Sequence, residues 1–139
     1  MSTATTVPSD IKHYPTFRFV DYKVYHESKK WWQEALGLKG ILESNTELWE
    51  QLQTNITDLV MKITSASTKL PPEAKRDLSK AITSINKVVA CLDMACDLQV
   101  ITPEEFQDFT DGFKGLVIQL KCFIKALGVK KEVGQEKAE

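Results

Sequence analysis

Apolar side chains recur at steps of three and four residues along most of this 139-residue chain. That period constrains the fold more than any other feature of the sequence. In the fourth and clearest segment, Pro103 to Leu127, the run is Phe106, Phe109, Phe113, Leu116, Leu120, Phe123 and Leu127. Such steps place side chains on one face of an α-helix, whereas a half-buried strand alternates every second residue. The second segment, from about Thr46 to Lys69, carries Leu48, Leu52, Ile56, Leu59, Ile63 and Ala66. The third, from Pro71 to about Gln99, carries Leu78, Ile82, Ile85, Val89, Leu92 and Cys96, widened by Ala74, Ala81, Val88 and Ala95. The first, from about Val20 to Gly40, carries Val20, Val24, Trp31, Ala35 and Leu38, then Leu42, with Tyr25, Trp32 and Leu36 alongside.

The ends of these segments carry matching chemistry. Thr102-Pro103-Glu104-Glu105 reads as a capping box with proline at the first helical position. Ser44 and Glu47 repeat the pattern before the second segment, and Pro71-Pro72 stops one helix and starts the next. Gly128 suits a C′ position, with Lys121 and Lys125 favoured in the last turns before it. The connections are short, so consecutive helices pack as antiparallel neighbours. The expected architecture is all-α, an up-down-up-down four-helix bundle over residues 19–128. Pro8 and Pro15 make residues 1–18 an N-terminal arm, and VKKEVGQEKAE over 129–139 reads as a mobile charged tail.

Composition narrows the function. Hydrophobic residues are 42% and charged residues 27%, which suits a globular domain. Eighteen Lys+Arg against nineteen Asp+Glu leave a net charge of -1, so this is not a strongly basic nucleic-acid binder. The N-terminus lacks the apolar core of a secretory signal. The longest apolar run, Val88 to Leu92, is far short of the about 20 residues that span a bilayer. Cys91 and Cys96 lie about 140° apart on a helix and cannot pair within it. With Cys122 they read as reduced thiols among aliphatic residues, which points to a cytoplasmic protein. Only His13 and His26 are present, and neither has a fixed spacing to a cysteine. There is no Glu-x-x-His pattern and no Gly-rich phosphate loop. The sequence therefore suggests a binding protein without metal or cofactor rather than an enzyme.

Two sets of residues stand out on the helix faces. Arg76, Lys80 and Lys87 share one face of the third segment; Lys114, Lys121 and Lys125 share one face of the fourth. Stripes of this kind suit phosphates, and they also suit a solvated bundle surface. Adjacent Trp31 and Trp32 point about 100° apart, so both fit a wide core stripe or one fits a subunit interface. Trp49 beside Leu48, together with Val117, Ile118 and Ile124, raises the same question. These six form the expected oligomer interface.

Three patterns carry a resemblance: Phe19, Tyr22, Val24 and Tyr25 at the opening of the first helix, Leu48 and Gln51 as Leu-x-x-Gln on the second, and the stretch from Asp97 through Leu98, Ile101, Thr102 and Glu104 to Phe106 between the third and fourth. With the order of elements they resemble a four-helix-bundle family that comprises proteins encoded in intervening sequences of bacterial large-subunit ribosomal RNA genes and accessory variability determinants of diversity-generating retroelements. The intervening-sequence branch shows Ser-Ile-x-x-Asn-Ile-x-Glu-Gly late in the second helix, where this chain has Asp58 to Ala66 and keeps only the apolar positions. The resemblance thus leans to the accessory branch. It implies a ring-like homopentamer that binds a reverse transcriptase and its RNA or DNA. The alternative is a protein-protein scaffold of the same fold that binds no nucleic acid.

Overall fold

The computed structural model describes residues 15–138, with side chains from 17 to 128. Most of the arm expected over 1–18 lies outside the described residues. Among these there is no strand. A 3₁₀ segment, Pro15–Asp21, precedes five α-helices: α1 (Lys23–Leu36), α2 (Lys39–Leu42), α3 (Thr46–Ala66), α4 (Pro71–Asp97) and α5 (Pro103–Ala138). The four long helices close a ring of contacts: α1 on α3, α3 on α4, α4 on α5, and α5 back on α1.

Specific pairs set the directions. Ser65 Oγ donates to Asp77 at 2.9 Å and Ser84 Oγ to Asp58 at 3.0 Å, so α3 and α4 run antiparallel. Trp31 packs on Phe109 and Phe113, and Tyr22 on Phe123, so α5 runs antiparallel to α1. The interior is the set of periodic positions seen in the sequence. Leu52, Ile56, Leu59 and Ile63 of α3, Leu78, Ile85 and Leu92 of α4, and Phe113, Leu116 and Leu120 of α5 are all buried.

Two serine–aspartate pairs join α3 to α4 at the margin of this core. Asp77 is buried and also meets Lys69 Nζ at 2.8 Å. Burial by itself would raise its carboxyl; the hydrogen bonds from Lys69 and Ser65 and the charges of Lys69 and Lys62 outweigh that, and it lies below its ordinary value. A buried acid fully satisfied in this way fixes the axial register of α3 against α4, because any slip strands the charge.

The helix ends test the capping arguments. Thr102 Oγ1 accepts from Glu105 N at 3.0 Å and Glu105 Oε1 from Thr102 N at 2.8 Å, so that capping box forms reciprocally. Pro71 and Pro72 occupy the first helical positions of α4. The expected box at Ser44 does not form: Asn45 is the N-cap of α3, and no side chain caps it. The first helical segment breaks at Gly37-Leu38, which lets Leu38 and Leu42 both turn into the core. Helix α5 runs on past Gly128, which is an internal position and not a C′ residue. The backbone of the segment expected to be a mobile tail is helical as far as Ala138.

Helix α4 ends at Asp97, and beyond its C-cap Leu98 the backbone of Gln99 lies in the left-handed region at φ 63°. Val100 N donates to Ala95 O at 3.0 Å and Gln99 N to Cys96 O at 2.9 Å, which makes a Schellman turn with glutamine where glycine is usual.

Candidate functional site

All six cations of the two stripes are exposed. Among the described residues, ion pairs join only Lys62 to Asp58 and Lys69 to Asp77, and none of the six is paired with a described carboxylate. The two stripes do not merge. Lys87 lines a groove between α3 and α4, beside Gln51 and Asn55. Lys114 lines a groove between α4 and α5, beside Asn86. The stripe of Arg76, Lys80 and Lys87 therefore lies on the α3 flank of α4, and that of Lys114, Lys121 and Lys125 on its α5 flank. Lys75, which the sequence periodicity left aside, reaches across to Gly128 of α5. Its position one residue before Arg76 turns it about 100° away from that stripe and towards the lysines of α5.

The expected interface residues divide differently. Trp31 lies between α1 and α5, with ring centroids 5.8 Å from both Phe109 and Phe113. Gly112 makes room for it, since a Cβ there would fall against Cζ2, Cε2 and Cη2 of the indole. Trp32 Nε1 donates to Thr57 Oγ1 at 3.0 Å, tying α1 to α3. Trp49, Val117 and Ile124 are partly buried against the chain's own core. Internal packing thus occupies five of the six, and Ile118 alone stands in solvent, 54% exposed.

Beside Trp31 the structure opens a cleft of about 860 Å³. Lys30, Trp31 and Glu34 of α1 form one wall, with Gly37, Leu38 and Ile41 at its end. Glu105, Asp108, Phe109, Asp111 and Gly112 of α5 form the other. The floor is aromatic and aliphatic; the rim carries four carboxylates against the single ammonium of Lys30, whose Nζ lies 5.1 Å from the Trp31 ring centroid. In the sequence Glu105 reads as a capping residue, and Asp108 and Asp111 as partners of the helix dipole. Glu34 is seventy residues earlier, and only the antiparallel pairing of α1 with α5 brings it opposite them.

The three cysteines are reduced. Cys91 is buried, and burial pushes its thiol up from the ordinary value, which makes it a core residue and not a nucleophile. Among the described residues no group of His, Cys, Asp and Glu could hold a metal ion, and no helix is long and apolar enough to cross a membrane. Comparison with protein-family models, with curated proteins and with solved structures gives no match.

Proposed function

We propose that this chain is a non-enzymatic, self-associating adaptor that holds RNA on the Arg76, Lys80 and Lys87 face of α4. One observation carries the reading: these three cations are exposed on a single face, and none is paired with a carboxylate among the described residues. An unpaired cation can exchange its counterions for a phosphate without first breaking an ion pair. Lys87 is flanked by Gln51 and Asn55 of α3, polar side chains able to hydrogen-bond to sugar and phosphate oxygens, in a groove that also holds the carboxylate of Glu47. The family resemblance supports the partner class, a reverse transcriptase acting on that RNA.

The test is fluorescence anisotropy of a labelled single-stranded RNA with the wild-type chain and with R76E/K80E/K87E. The triple variant loses salt-sensitive binding, and unchanged affinity would exclude this face. A second reading, a scaffold that binds protein alone, is favoured by the acidic cleft between α1 and α5. That reading takes over where the wild-type chain itself shows no salt-sensitive RNA binding.

A further inference from the structure

We infer that the cleft between α1 and α5 receives a basic amphipathic helix of a partner protein, with its apolar stripe on the floor and its lysine or arginine side chains on the rim. The inference rests on the adaptor reading for the existence of a protein partner, and it names the surface that holds that partner.

The shape suits a helix. The cleft lies between two antiparallel helices, and a third helix packs into such a groove ridge against furrow. On α5 the wall runs from Glu105 to Gly112, about 10 Å or two helical turns. A helix docked there presents apolar anchors at i, i+3 or i+4, and i+7. The floor offers them Trp31 and Phe109, and Ile41, 45% exposed, closes one end.

Charge selects the kind of helix. Glu34 stands on one wall, and Glu105, Asp108 and Asp111 stand on the other. Among the described residues no ion pair engages any of the four. Like charges lining one cleft repel one another, and a cationic partner relieves that repulsion. The Trp31 ring points the same way, because it already carries a cation: Lys30 Nζ lies 5.1 Å from its centroid. An ammonium or guanidinium over an indole face is a favourable contact, so floor and rim both suit basic side chains. RNA is repelled by such a rim. The Arg76, Lys80 and Lys87 face, on the α3 flank of α4, lies across the ring of helices from the cleft. Protein and RNA therefore do not compete for one surface.

Fluorescence anisotropy of a labelled peptide tests this on the full chain without RNA. The probe is a synthetic helix of about 18 residues, with leucine recurring at steps of three and four and lysine elsewhere. A control peptide has the same composition, with its leucines reordered to leave no apolar face. The wild type should bind the probe at least about tenfold more tightly than the control. D108K/D111K reverses the rim and I41D puts a charge on the floor. All three positions are exposed, so circular dichroism should be unchanged. Each variant should bind the probe at least about tenfold more weakly than the wild type. R76E/K80E/K87E should keep full affinity for the probe whatever its RNA result, so the RNA face and the cleft fail or stand separately. No binding by the wild type, equal binding of the two peptides, or full affinity in D108K/D111K and I41D would each overturn the inference. So would light scattering that shows a wild-type dimer reduced by D108K/D111K to the 15.7 kDa single chain, since a second copy would then fill the cleft.

Discussion

Replacing Gly112 by alanine isolates the close approach on which the α1–α5 contact depends. In a helix interior the substitution alone should stabilise, since alanine is better than glycine there by about 0.5–1 kcal/mol. At this position the new methyl would occupy the volume of the Trp31 indole, so the ring must leave. Overpacking of this kind costs about 1–3 kcal/mol. Displacing Trp31 also loosens its contacts with Phe109 and Phe113, each worth about 0.5–1.5 kcal/mol. The losses exceed the gain, and Gly112→Ala should destabilise by about 1–3 kcal/mol. Gly115, three residues on in the same helix, is the control. A methyl there meets nothing, so Gly115→Ala should stabilise by about 0.5–1 kcal/mol. Urea unfolding followed by circular dichroism measures both, at protein concentrations low enough to exclude association. In a Trp31→Ala background Gly112→Ala should become stabilising, as at Gly115. If Gly112→Ala is as stabilising as Gly115→Ala in the wild-type background, Trp31 does not lie on α5 and the reasoning fails.

Two further predictions concern the α4 end and the buried acid. Gln99→Gly should raise stability by about 1 kcal/mol in urea unfolding, because glycine takes the left-handed conformation at no steric cost; no gain would show that Gln99 is not held there. Asp77 has a carboxyl below its ordinary value, so its stabilising contribution is complete above the unfolded-state value of about 4 and is lost as pH falls through the lower folded one. The stability gap between wild type and Asp77→Asn should therefore be widest near neutral pH and narrow under acid conditions. A gap independent of pH would contradict the assignment.

The helical period alone located all four long helices, because each buries a single stripe whose residues are close in sequence. Leu52 to Ile63 and Phe109 to Leu120 are core for that reason. What depends on contacts between distant segments was not legible. The break at Gly37-Leu38 follows from Leu38 and Leu42 both needing the core, which no local signal reports. The Asp77–Ser65 and Asp58–Ser84 hydrogen bonds join α3 to α4, so no local pattern reports them. For Trp31 and Trp32 the sequence left core and subunit interface both open, because the partners that take them up, Gly112 and Thr57, lie on other helices. The basic stripes were visible as spacing, but their separation onto opposite flanks of α4 was not, since it depends on where α3 and α5 pack. The acidic cleft shares that cause, with Glu34 and Asp108 joined only by the fold.

The salt dependence of RNA affinity tests the central claim most directly. Three cations on the α4 face, each displacing a counterion from a single strand, give a slope of about −2 in log affinity against log salt. The wild-type chain should lose about tenfold or more in affinity for a fourfold rise in salt, and R76E/K80E/K87E should show no such slope. A wild-type affinity that is flat with salt, or a slope that survives in the triple variant, would contradict the account.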